Sequence, residues 1–112
     1  MDIAALQREL RAFAAARDWQ PFHTPKNLAM ALMVEAAELQ ELFQWLTPEQ
    51  SRTFTQDATA HERVGDEMAD VLWVLAALAN QTGVDLSEAF RRNLEKKTHR
   101  DADRHRQNPK LQ

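Results

Sequence analysis

Two pairs of acidic residues are the part of this sequence best equipped for chemistry. Glu35 and Glu38 form an E-x-x-E within "VEAAELQELFQW", and Glu67 and Asp70 form an E-x-x-D within "DEMADVLWVLAALA". A three-residue step puts both members of a pair on one side of an α-helix. If two such helices pack antiparallel, four carboxylates converge, and uncompensated like charges at partial burial repel one another. A hard divalent cation resolves that conflict. Mg²⁺ takes oxygen ligands, keeps some of its waters and bridges protein carboxylates to phosphates, so Mg²⁺, with Mn²⁺ as the alternative, is the expected metal. A di-iron carboxylate bundle is the rival chemistry, but it uses Glu-x-x-His on two helices, a spacing the chain lacks.

The elements that must position these acids are helical. Only 2 glycines and 4 prolines punctuate the chain, and no alternating strand pattern competes. The spacing predicts four helices. The first, over residues 2–17, sets Ile3, Leu6, Leu10 and Phe13 on one stripe, with Asp2 as its N-cap. The second opens with Thr24 as N-cap and Pro25 in the first helical position, and runs to residue 46, where Pro48 is expected to stop it. The stretch "TPEQSRTFTQDATAH" reads as a long loop with room for one short turn of helix. The third helix covers residues 61–82 and ends at Gly83. The fourth starts at Asp85, with Glu88 in capping-box position, and buries Leu86, Phe90 and Leu94.

On the second helix Leu28, Leu32, Leu39, Leu42 and Leu46 share a face; Glu35 falls within that stripe and Glu38 at its edge. On the third, Val64, Met68, Val71, Leu75 and Leu78 define the expected buried face, with Glu67 at its margin and Asp70 one turn beyond. The run "VLWVLAALA" is apolar all round, more than one partner helix can cover, and the Trp73 side is expected to pack on another subunit.

Length and composition bound the function. A chain of 112 residues, 44% hydrophobic, fits one domain, residues 1–112, with 98–112 expected as a frayed basic tail. The absence of cysteine excludes disulfides, thiolate metal sites and a cysteine nucleophile, and with no signal-like apolar start the expected location is cytoplasmic. A net charge of -3 gives no broad attraction to nucleic acid, and no apolar run suits a membrane span.

The blocks quoted above, with "FAAARDWQPFHTPKNLAMAL", "ELFQW" and "VDLSEA", resemble the MazG-like all-α nucleoside triphosphate pyrophosphohydrolases, and within them the dCTP pyrophosphatase branch. The resemblance runs from residue 6 to about residue 94. It implies an all-α, four-helix MazG-like bundle that assembles as a dimer or dimer of dimers, takes a nucleoside triphosphate, and cleaves it to the monophosphate and pyrophosphate in nucleotide-pool housecleaning. It places the metal on Glu35, Glu38, Glu67 and Asp70. The resemblance also has departures: Val74 and Leu10 stand where that branch has a tyrosine and a histidine associated with nucleobase and sugar recognition, and Asn93 and Lys97 exchange a lysine–asparagine pair.

Trp19 and Trp45 match aromatic positions near the family's base pocket, where stacking on a base is worth about 1–3 kcal/mol. His23, Lys26 and Asn27 lie at the start of the second helix, where free N–H groups favour a phosphate. Lys97 can neutralise the triphosphate tail, whereas His61, His99 and His105 are given no role. The mechanism needs no covalent nucleophile; Glu38, at the stripe edge, is the candidate general base. A non-catalytic helical interaction module and a nucleotide-sensing regulator are the alternatives, although the first gives no reason to place Glu35 in a core stripe.

Overall fold

Each helix begins where a short polar side chain can take up its free N–H groups. In the computed structural model, which describes residues 1–100 and Lys110, Asp2 accepts from the Ala5 amide at 3.1 Å and opens α1, Ile3–Ala16. Thr24 caps α2, Pro25–Glu41, through the Asn27 amide at 3.2 Å, with Pro25 in the first turn. A third helix, α3, Pro48–Thr53, occupies part of the expected loop. Asp57 caps α4, Ala58–Thr82, through the Ala60 amide at 2.9 Å, and α5 spans Leu86–Arg100. The described residues are all-helical, with five helices rather than four. The expected tail over residues 98–112 lies largely outside the described residues.

The extra helix has a simple cause. Thr47 and Gln50 close a reciprocal capping box, with the Gln50 amide donating to Thr47 Oγ1 at 3.1 Å and the Thr47 amide to Gln50 Oε1 at 3.0 Å. Pro48 therefore starts a helix instead of merely ending one. α2 stops five residues short of expectation, at Glu41, because the chain tightens there: the Leu42 amide reaches Leu39 O and the Phe43 amide reaches Gln40 O. Phe43 then meets Phe54 edge-on at 5.4 Å, which folds the α3 segment back over the end of α2.

α4 is the hub, packing against α2 and α1, while α5 lies on α1. Its small residues Ala60, Ala76, Ala77 and Ala79 are buried with Val64, Leu10 and Leu28, so the helices approach closely. Gly83 closes α4 in the left-handed conformation (φ 71°), and the Val84 amide bonds Ala79 O at 2.9 Å. Glu88 does not complete a capping box; its carboxylate pairs with Arg91 at 2.7 Å, while Asp85 accepts from the Glu88 amide.

The packing corrects two expectations, the burial of Met68 and that of Phe90 and Leu94. Met68 is 55% exposed rather than buried, while Val64 on the same helix is buried and Glu67 is half-buried. Trp73 meets Phe13 of α1 edge-on at 5.2 Å and is still 39% exposed, so α1 covers part of its side of α4. Phe90 and Leu94, expected to be buried, are exposed on α5. The apolar surface left open lies elsewhere, at Met30, Met33 and Val34 on α2 and in a groove lined by Ile3, Leu72, Leu75, Leu86 and Phe90.

Candidate active site

The α2–α4 seam brings three of the four acids together. One carboxylate oxygen from each of Glu35, Glu38 and Glu67 lies within 4.8 Å of the other two. Glu35 and Glu67 are half-buried and Glu38 is exposed, as expected for a residue at the stripe edge. Asp70 is exposed and stands outside this set, yet close enough for its charge to act on Glu35 and Glu67.

The electrostatics are those of a site awaiting positive charge. Glu35 Oε2 and Glu67 Oε2 are shut off from solvent without a hydrogen-bond partner. Burial pushes the Glu35 carboxyl above the usual range, and the charges of Glu38, Asp70 and Glu67 with a hydrogen bond to Glu38 push the same way. Burial likewise raises Glu67, followed by the Glu38 and Asp70 charges, a hydrogen bond to Glu38 and the charge of Asp66. The ion pairs seen among the described residues, Arg52 with Glu49 and Arg91 with Glu88 and Glu95, lie elsewhere on exposed surface. A set of oxygen donors with two orphaned atoms fits a hard divalent cation.

A second feature sits between α1 and α4. A cavity of about 240 Å³ is walled by Phe13, Trp19 and Trp73, with His23, Arg11 and Asn80 among its polar lining. Phe13 organises the aromatics: Trp19 meets it at 5.4 Å, Trp73 at 5.2 Å, and the Arg17 guanidinium lies 3.4 Å from its ring centre. Asp18 takes a left-handed conformation (φ 54°) to turn the chain after α1, and the Trp19 amide then bonds Ala14 O at 3.1 Å. A non-glycine residue in that region is strained, so Trp19 is held at some cost.

Of the residues expected at a substrate site, Trp19 and His23 line this cavity, their rings 5.7 Å apart. Lys26 is exposed at the start of α2, and Asn27 supports the turn before it, its Nδ2 donating to Phe22 O at 3.4 Å. Trp45 is 87% exposed beyond the other end of α2, whose 17 residues span roughly 25 Å. It does not join Trp19 around one base within a single chain. Lys97 is exposed near the far end of α5 and lines neither the acid cluster nor the cavity. Sequence reasoning missed the cavity roles of Phe13, Trp73, Arg11 and Asn80. Their available signal was the pairing of α1 with α4, which no local spacing reveals.

Comparison with known proteins decides the family. A profile described as the MazG nucleotide pyrophosphohydrolase domain matches residues 23–105, a span containing both acidic pairs. The chain belongs to the MazG family. This MazG chain is 42% identical over 88 residues to dCTP pyrophosphatase 1 of Bos taurus, covering 79% of its own length and 50% of the relative. It is 44% identical over 85 residues to dCTP pyrophosphatase 1 of Homo sapiens, covering 76% and 48% respectively. The chain thus spans about half the length of these relatives. A crystal structure of a pyrophosphatase from Archaeoglobus fulgidus superposes with a TM-score of 0.73 at 36% identity, covering 84% of this chain and 86% of that one.

Proposed function

We propose that this MazG protein is a divalent-metal-dependent pyrophosphohydrolase that cleaves a nucleoside triphosphate to the monophosphate and pyrophosphate. The observation that carries the reading is the pair of buried, unpartnered oxygens of Glu35 on α2 and Glu67 on α4, gathered with Glu38 of α2 at the α2–α4 seam. Glu35, Glu38 and Glu67 hold the metal, with Asp70 as the outermost of the four ligands; Mg²⁺ fits the donor set, and Mn²⁺ is the substitute. When bound, the cation supplies charge neutralisation for the triphosphate and Lewis acidity. The aromatic cavity takes the base, between Trp19 and Trp73, and His23 and Lys26 flank it at the α2 N-terminus, where free N–H groups and the dipole favour phosphate. Glu38 is the exposed member of the acid set and takes the proton of the attacking water. The water oxygen bonds the α-phosphorus, the bond from that phosphorus to the bridging oxygen breaks, and pyrophosphate leaves.

The names of the relatives make dCTP a candidate substrate; we extend the proposal to modified pyrimidine nucleotides and to nucleotide-pool housecleaning in the cytoplasm. The exposed apolar surface on α2 and the groove beside Phe90 support a homo-oligomer, dimer or tetramer. In such an assembly Trp45 and Lys97 act on a neighbouring copy's substrate or not at all. Hydrolysis of dCTP with Mg²⁺ in ¹⁸O-labelled water tests the reaction: label in the monophosphate, with unlabelled pyrophosphate, is expected. A diphosphate with labelled orthophosphate, or turnover that survives complete metal removal, defeats it.

A further inference from the structure

We propose that Arg11 reads the base in the aromatic cavity, selecting one that presents two adjacent hydrogen-bond acceptors; this rests on the nucleotide reading above, but no comparison assigns it, since Arg11 lies outside the matched residues 23–105. The aromatic walls stack on any base, because every base has a π-face. Discrimination must come from the polar lining, and Asn80 is already committed there. Its Nδ2 donates to Gln7 O at 2.9 Å, while its Oδ1 accepts from Gln7 Nε2 at 3.2 Å and from Arg11 Nη2 at 3.3 Å.

Those bonds fix which way the Asn80 amide faces, and Gln7 is fixed in turn. It is 7% exposed, donates to Val84 O at 3.1 Å and accepts from the Leu86 amide at 3.2 Å. A chain of hydrogen bonds therefore runs from the buried α1–α4–α5 junction to the guanidinium. Arg11 also borders a neighbouring hollow with Arg8 and Asp85, but its Nη2 is bonded to Asn80, which of the two lines only the aromatic cavity.

A guanidinium carries five N–H donors in a planar fork and no acceptor. With one N–H held by Asn80, the remainder of the fork complements a base edge on which two acceptors adjoin. Cytosine offers N3 and O2, and guanine offers O6 and N7. Uracil and thymine place N3–H between their carbonyls, and adenine sets its amino donor beside N1 and N7 and has C2–H between N1 and N3. A cavity of about 240 Å³ is below the ~300–1,000 Å³ that encloses a drug-sized ligand and suits a single ring, which ranks cytosine first and guanine second.

The test compares wild type, Arg11→Met and Arg11→Lys on dCTP, dGTP, dTTP and dATP with Mg²⁺, reading kcat/KM and, independently of turnover, nucleotide quenching of tryptophan fluorescence. Wild type is expected to favour dCTP, then dGTP. The dCTP-to-dTTP ratio should fall at least about tenfold in Arg11→Met. Arg11→Lys keeps the charge without the fork and should lose the ratio as well. An unchanged ratio, a parallel loss on all four nucleotides, as a phosphate contact would give, or a wild-type preference for dTTP or dATP overturns the proposal. Binding without hydrolysis would defeat the pyrophosphohydrolase reading alone, with quenching still deciding Arg11; no binding of any nucleotide would defeat both.

Discussion

Gln7 on α1 and Glu35 on α2 each interrupt an apolar helix stripe, and the molecule treats them in opposite ways. Gln7 is the more buried, and each end of its side-chain amide is partnered: Nε2 with Asn80 and Val84, Oε1 with Leu86. Glu35 is half-buried, faces acids, and leaves Oε2 with no partner. A satisfied buried amide ties three helices together and supports the fold. An orphaned carboxylate beside like charges works against it, and such a group persists where binding offsets the cost. The contrast separates polar burial that builds the protein from polar burial that equips it.

The largest effect expected from breaking this contrast is on turnover. Glu35→Gln keeps the shape of the side chain but removes the charge, and should lower pyrophosphate release at least about 100-fold. Glu67→Gln should do the same. Thermal melts of the metal-free variants should show stability equal to wild type or higher, since repulsion with Glu38 and Asp70 is relieved. Amides that unfold the protein while sparing turnover would make the acids structural.

Gln7→Ala should give the inverse pattern. It strands the Leu86 amide and Val84 O and frees Asn80, which should cost about 2–4 kcal/mol in denaturant unfolding. At temperatures where the variant is folded, kcat at saturating dCTP should stay within about threefold of wild type, because the acid cluster stands on α2 and α4 rather than α1, while the dCTP-to-dTTP preference should weaken because Gln7 holds Asn80 and through it Arg11. A Gln7→Ala protein of unchanged stability would remove the contrast at its structural end.

Metal binding sharpens the same comparison. A ligand that binds only the native state at 100 times its Kd stabilises by about 2.7 kcal/mol, so saturating Mg²⁺ should raise the melting temperature by several degrees. Gln7→Ala should retain that increment, and Glu35→Gln should lose most of it. An equal increment in both variants would mean that Mg²⁺ binds elsewhere.

How much of this was legible in the sequence depends on whether a feature is local. The caps Asp2 and Thr24, the Gly83 stop and the stripe position of Glu35 follow from spacing alone, and the structure has them. Of the α3 helix only a short turn somewhere in the loop is legible, although Thr47 and Gln50 carry its capping box, because six residues are too few for an apolar period to show. Met68 is misplaced for another reason. A helix face does not say which neighbour covers which side: Phe13 of α1 meets Trp73, and Met68 stays exposed. Gln7 went unremarked in its stripe because its partners lie more than 70 residues away in the chain.

The smallest effect expected is a pH dependence that should differ with and without metal. Burial and neighbouring acids raise the Glu35 and Glu67 carboxyls in the native state, whereas in the unfolded chain both titrate in the ordinary carboxylate range. Native protein therefore holds protons that the unfolded chain has released. The stability this confers is complete below the unfolded values and is lost as pH rises through the folded ones. Glu88 acts in the opposite sense: the hydrogen bond and charge of Arg91 hold it below the usual range, and its contribution disappears as pH falls through that lowered value. The two windows lie on opposite sides of the ordinary carboxylate range, and the exposed Glu88–Arg91 pair is screened by solvent. In chelator, the melting temperature should climb as pH falls from neutral toward the ordinary carboxylate range, and a Glu35→Gln/Glu67→Gln double variant should flatten that climb. With saturating Mg²⁺ the slope should reverse, because the cation requires both carboxylates deprotonated. A metal-free wild type whose melting temperature falls over that interval would show that repulsion in the α2–α4 seam is not what these acids contribute.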